Sequence, residues 1–187
     1  LRLFTALELD KRDYHPSEAE QKEASNFVSL VTPIIKAALS DFGLESCVMA
    51  QQVFGGHGYI HEWGIEQYVR DVRITQIYEG TNGIQSLDLI TRKIFLNDAR
   101  LPFELFEFIK TDLSEARQFE DFEDILQSIE NSLDALESVT SDLIWLKKDS
   151  MVLQIVASDY LRFFSLVLFG WMWIKILCAV KKSSDVS

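Results

Sequence analysis

Residues 122–146 place Phe122, Ile125, Ile129, Leu133, Leu136, Val139 and Leu143 at successive steps of three and four, with no glycine or proline among them. That spacing lines one side of a 3.6-residue helix, and much of the remainder is acidic, so the stretch reads as an amphipathic helix with a single apolar stripe. The same economy of turn-formers runs through the whole chain, whose 187 residues hold only 8 Gly and 3 Pro. No segment alternates apolar and polar residues long enough to demand a strand. The expected fold is all-α, with short connections. Its composition, 48% hydrophobic and 25% charged, is that of a packed protein rather than a disordered one.

Along the chain, residues 1–14 read as the tail of an amphipathic helix ended by His15-Pro16. Leu1 opens directly into that pattern with no signal peptide ahead of it, so the chain reads as a fragment of a longer protein. Ser17 and Glu20 have the spacing of a capping box for the next helix. Pro33 is expected to kink or restart that helix. From Ile34 to about Phe54, apolar residues including Ile35, Ala38, Leu39, Phe42, Val48, Ala50 and Val53 continue at helical spacing. A short helix is predicted over 66–74, a further one capped by Thr81 over roughly 84–95, and another over 103–118.

Charge divides the chain. Residues 1–100 carry net −4, residues 101–150 net −9 and residues 151–187 net +2, within an overall −11. This shift marks a module boundary near Asn97–Pro102, and the acidity argues against non-specific nucleic-acid binding. The last apolar run, Phe163 to Val180, is broken only by Lys175. By length alone it fits either a buried helix or a membrane span. Gly170-Trp171-Met172-Trp173 within it looks like a packed contact. Cys47 and Cys178 are too few for a disulfide scaffold and read as packed thiols. His15, His57 and His61 lack ligand spacing, so no metal site is expected.

Two places carry chemistry. The first is Gln52-Val53-Phe54-Gly55-Gly56-His57-Gly58-Tyr59, where three glycines fall in four positions at a helix end. Open amides there could hold a phosphate or the polar edge of a cofactor, and the same residues would equally make a helix C-cap followed by a turn. The second is Ile77-Tyr78-Glu79-Gly80-Thr81-Asn82-Gly83-Ile84-Gln85. Here a carboxylate precedes a helix N-terminus, and Ile77 and Tyr78 are placed to desolvate it towards the pKa of a general base. A solvated loop Glu is the alternative. Between the two, Arg70-Asp71 reads as a helix-surface or interhelical salt bridge.

Taken together, QVFGGHGY (52–59), EQYVRD (66–71) and IYEGTNGIQ (77–85) resemble, in order, spacing and identity, the C-terminal helical domain of the acyl-CoA dehydrogenases. The resemblance covers about residues 1–95. It implies an up-and-down helical bundle over 1–97, followed over 98–187 by the extra helical module that one bacterial subgroup appends. It also implies a soluble, cytoplasmic protein without a membrane span. The implied activity is α,β-desaturation of an acyl-CoA thioester, with FAD as cofactor. Glu79 matches the family's catalytic base, and Gly80 matches the residue whose amide lies near the thioester carbonyl. Gln52, Val53, Phe54, Gly55 and Gly56 match the segment that touches the FAD of a neighbouring subunit, which implies a homo-oligomer. Thr81, Asn82 and Gly83 match the stretch that meets FAD beside the base. Where a polar pair ending in Gln is frequent the chain has Asn82-Gly83, so backbone contacts are the ones expected there. The family further implies an electron-transferring flavoprotein as acceptor. A non-catalytic assembly module on the same fold is the alternative, and Glu79 argues against it. The family's N-terminal helical and middle β domains are not in the chain, so the fragment alone is expected neither to hold FAD tightly nor to turn over substrate.

Overall fold

The computed structural model describes residues 1–184, which form seven α-helices and no strand. They are α1 (Arg2–Tyr14), α2 (Glu18–Val53), α3 (Ile65–Arg73), α4 (Asn82–Thr91), α5 (Leu101–Ala116), α6 (Glu123–Trp145) and α7 (Ser150–Ser184). The central helix is α2, with α1, α3, α4, α5 and α7 packed against it.

Pro33 neither kinks the chain into two helices nor restarts it, since α2 runs unbroken through it. Proline inside a helix costs about 3 kcal/mol through its missing donor and ring crowding. On either side of it Leu30, Val31, Ile34 and Ala37 are buried, and large apolar side chains contribute about 1.5–3 kcal/mol each, so packing outweighs the break. The expected capping box is also absent. Ser17 is the N-cap, but its side chain caps nothing. Its N–H instead donates to His15 Nδ1 (3.2 Å), and Gln21 Nε2 donates to the His15 carbonyl (2.8 Å), so the turn is organised around His15.

Two predicted apolar faces are partly displaced. In α6, Ile125 and Val139 are exposed while Leu126 and Thr140 are buried. The buried face runs through Phe122, Leu126, Leu133, Leu136, Thr140 and Leu143, so Ile125 and Val139 fall on the solvent edge of the stripe. In α2, Val48 and Val53 stand in solvent, because the helix runs on past the α4 and α7 contacts to its end beside α3 and a 3-10 turn, Gly55–Tyr59.

Between α4 and α5 the backbone turns left-handed at Asn97, Asp98 and Ala99, with φ of 52°, 57° and 63°. The turn falls where the charge shift begins. The core is continuous across it, running from Leu30 and Ile34 through Leu89 and Phe106 to Leu133, Phe164 and Trp171. Trp171 meets Phe4 of α1 and Phe108 of α5 edge-on, at 5.3 and 5.7 Å between ring centroids. Asp112 of α5 accepts from Trp171 Nε1 and from Lys175 Nζ, both at 2.7 Å. The one charge in the apolar run therefore has an acidic partner inside the fold. Gly170 lies against Ile129, whose Cγ1 would be 3.2 Å from an added Cβ. Both α2 and α7 are long and apolar enough to cross a membrane, with under half of each apolar stretch buried in the fold.

Candidate active site

Gly80, with φ +82°, belongs where it stands, because its left-handed backbone strains any residue with a Cβ, and a Cβ there would also sit 2.9 Å from Gln85 Nε2. Glu79 before it is left-handed too, at φ 55°, a conformation that costs a non-glycine residue about 1–2 kcal/mol. Thr81 then caps α4 as expected, its Oγ1 accepting from the Ile84 N–H at 3.3 Å. The helix begins two residues earlier than its apolar pattern, so Asn82 and Gly83 are its first two residues. Their amides have no intrahelical partner, which makes this end a receptor for negative charge or a carbonyl oxygen.

The Glu79 side chain has no hydrogen bond or ion pair among the described residues and is exposed. The apolar enclosure expected from its neighbours is missing: Ile77 and Tyr78 are 47% and 48% exposed, because no element among the described residues lies over the loop.

The loop is instead held from beneath. Lys36 Nζ donates to the Gly80 carbonyl (2.6 Å) and to Asn82 Oδ1 (2.8 Å). Asn82 Nδ2 donates to Asp41 Oδ1 (2.6 Å), and Gln76 Nε2 donates to the same oxygen (2.6 Å). Ser40 Oγ lies 2.9 Å from Asn82 Nδ2. The Asn82 side chain thus faces α2, leaving its backbone for any outward contact. Lys36, Ser40 and Asp41 belong to no motif. Their one signal in the sequence is a lysine set in the otherwise apolar run from Leu30 to Leu39.

The glycine segment closes the far end of α2. Gly55 has φ +58°, and Gly58 is buried so tightly that an added Cβ would meet the Gln51 carbonyl oxygen at 2.2 Å. Gln51 Nε2 in turn donates to the Gly58 carbonyl (3.1 Å). Gly56 has no such requirement, with nothing within 4 Å of where its Cβ would be. Gln52, Val53, Phe54, Gly55 and Gly56 all lie on the surface. The edge of His57 meets Trp63 at 5.0 Å, and Trp63 also flanks Phe54. Open space around Gly55 and Gly56 beside the exposed Val53 and Phe54 side chains leaves room for a flat, partly apolar group such as a flavin to lie against this segment.

The two segments do not meet. The Glu79 loop sits on Lys36–Asp41, and Gln52 lies at least eleven residues further along α2, about 16 Å or more at 1.5 Å per residue. Arg70 and Asp71 form no interhelical salt bridge. Asp71 accepts from Gln67 Nε2 one turn away (2.6 Å), since α3 presents both residues to solvent. His61 pairs with Glu66 at the surface (2.8 Å). Cys47 and Cys178 are free and half-buried, and burial raises the Cys178 thiol pKa. Among the described residues no cluster could hold a metal ion.

Residues 15–95 match the family described as "Acyl-CoA dehydrogenase, C-terminal domain". The 3-methylmercaptopropionyl-CoA dehydrogenase of Ruegeria pomeroyi is 35% identical over 109 residues, which is 58% of this chain and 18% of that protein. A butyryl-CoA dehydrogenase of Syntrophomonas wolfei is 25% identical over 170 residues, 90% of this chain and 28% of that protein. The structure of Caenorhabditis elegans ACDH-11 in complex with C11-CoA shares the fold over 89% of this chain and 28% of its own, with a TM-score of 0.71 at 20% identity. That likeness extends past the left-handed turn into α5–α7. The chain thus spans less than a third of the length of these proteins.

Proposed function

Since residues 15–95 of this chain belong to the C-terminal domain family of the acyl-CoA dehydrogenases, we propose that it is the C-terminal helical part of a flavin-dependent enzyme that desaturates acyl-CoA thioesters between Cα and Cβ. The observation that carries the reading is Glu79, an unpartnered carboxylate held on a left-handed turn directly before the free amides of a helix N-terminus.

In this reading a Glu79 carboxylate oxygen takes the proton from Cα. The Gly80 N–H, which has no acceptor among the described residues, donates to the thioester carbonyl oxygen and so acidifies that carbon. The N-terminal amides of α4, with Thr81 and Gly83, hold a polar edge of FAD. When bound, FAD supplies the acceptor for the hydride that leaves Cβ. Exclusion of water from Glu79 falls to parts of the protein outside these helices, since Ile77 and Tyr78 remain half-exposed. The separation along α2 supports giving Gln52–Gly56 to a cofactor in the site of another copy, hence a homo-oligomer. An electron-transferring flavoprotein would reoxidise the flavin. The buried Trp171 and the Lys175–Asp112 pair support α7 as a packed helix in a soluble protein.

The test is anaerobic flavin absorbance of the complete protein carrying this segment, wild type and Glu79→Gln, titrated with saturated acyl-CoAs of several lengths. Bleaching in wild type that Glu79→Gln abolishes is the expected result. Bound FAD that never bleaches in wild type would favour a non-catalytic module.

A further inference from the structure

A base that works from a strained turn has to be held there: Gln85 Nε2 donates to the Glu79 carbonyl at 3.1 Å, and the grip from α2 comes from one lysine. The Glu79–Gly80 turn projects from the surface with both residues left-handed, and the Gly80 carbonyl is gripped by Lys36 Nζ at 2.6 Å. The same ammonium donates to Asn82 Oδ1, across the turn from Gly80, so a single cation bridges the residue after the base and the first residue of the helix that follows.

The orientation of the Asn82 amide is not arbitrary. Its oxygen faces Lys36, a donor only, while its nitrogen faces Asp41 and the Ala37 carbonyl, acceptors only. Turning the amide over would set donor against donor and acceptor against acceptor. Lys36 and Asp41 therefore read as a matched pair on α2 that accepts this turn in one arrangement.

We propose that Lys36 is a positioning residue for Glu79: by bridging the Gly80 carbonyl and Asn82 from the middle of α2, it fixes the turn that aims the base and the Gly80 N–H at the substrate. The proposal rests on the catalytic reading of Glu79 and extends it to a residue outside every motif. Charge supports it as well. Desolvation lowers the Lys36 pKa, and the nearby carboxylates of Asp41 and Glu79 offset only part of that, so the ammonium feels the base it positions. Hydrogen bonds from charged donors are the strong ones, and misplacement of a reacting group by about 1 Å can cost on the order of a hundredfold in rate.

The experiment compares wild type, Lys36→Met and Lys36→Arg in the complete flavoprotein, reading the rate of flavin reduction at saturating acyl-CoA, the substrate KM and the flavin content. Lys36→Met should slow reduction by about ten- to a hundredfold with KM within about twofold and flavin retained. Lys36→Arg, which keeps the charge and offers more than one donor, should recover most of the rate. In the double variant with Asn82→Leu the two losses should not multiply, since both break one bridge. A reduction rate in Lys36→Met within about twofold of wild type overturns the proposal. So does a loss confined to KM or flavin content. If wild type itself is not reduced by any acyl-CoA, the reading of Glu79 has failed, and hydrogen exchange of this 187-residue chain still judges the bridge. Faster exchange at the Ile84 and Gln85 amides in Lys36→Met then supports it, and unchanged exchange overturns it.

Discussion

Replacing Asp112 with alanine tests how the second half of the chain is fastened to the first. The carboxylate accepts from Trp171 Nε1 and Lys175 Nζ, and Trp171 is fully buried. With Asp112 gone, the indole N–H is left without an acceptor in a dry site, which costs about 1–3 kcal/mol. Lys175 is different: 35% of its side chain is exposed and it lies near the Phe4, Phe108 and Trp171 rings, so it turns to water and its lost ion pair adds under about 1 kcal/mol. The sum is about 1–4 kcal/mol, or a fall in Tm of roughly 2–16 °C for a protein of this size. Asp112→Asn keeps an acceptor oxygen and should lose only about 1 kcal/mol. Thermal and urea unfolding followed by circular dichroism reads all three proteins. The decisive comparison is a Trp171→Phe background, which has no N–H to strand. There Asp112→Ala should cost under about 1 kcal/mol. Equal cost in both backgrounds, or a Tm change below about 2 °C in the first, would refute the account of the buried indole.

Other consequences are equally direct. Tyr160, bonded to Thr140 Oγ1 at 2.8 Å, has its phenol pKa raised well above the ordinary range by burial, so the folded chain keeps the proton longer than the unfolded one. Stability is therefore full below about pH 10 and should fall above it by up to about 1.4 kcal/mol per pH unit, read as urea midpoints across alkaline pH. Tyr160→Phe should flatten that slope. Gly58→Ala places a Cβ 2.2 Å from the Gln51 carbonyl oxygen and should destabilise by about 1–3 kcal/mol, with faster hydrogen exchange over residues 51–60. Gly56→Ala meets nothing among the described residues and should leave the Tm unchanged while weakening FAD retention in the complete protein. Equal Tm losses at the two glycines would contradict the steric assignment.

Helix periodicity located α1, α5 and α6, because burial of an apolar stripe is a property of local spacing, whereas α7 was marked only from Phe163 by its apolar run although it begins at Ser150. Thr81 and Gly80 announced their turn through residue types that the backbone requires. Pro33 misled, because its penalty is local while the packing that overcomes it comes from distant helices. The exposure of Val48 and Val53 was hidden for the same reason: spacing says which residues share a face, not whether anything covers it. At the site, Glu79 and its glycines were legible as motifs. The Lys36–Asn82–Asp41 network was not, since it joins residues 41 to 46 apart whose types are ordinary one by one. The half-exposed Ile77 and Tyr78 mark the opposite limit, an enclosure that the local sequence implies and the described residues do not build.

The central claim is that Glu79 removes a proton from Cα of an acyl-CoA, and hydrogen exchange at that carbon tests it most directly. The complete flavoprotein is incubated anaerobically in deuterated buffer with a saturated acyl-CoA, and deuterium at Cα is followed by mass spectrometry. The account predicts incorporation catalysed by wild type and its loss, by at least about a hundredfold, in Glu79→Gln with FAD still bound. Exchange that continues at the wild-type rate in Glu79→Gln would contradict it and move the base to another residue.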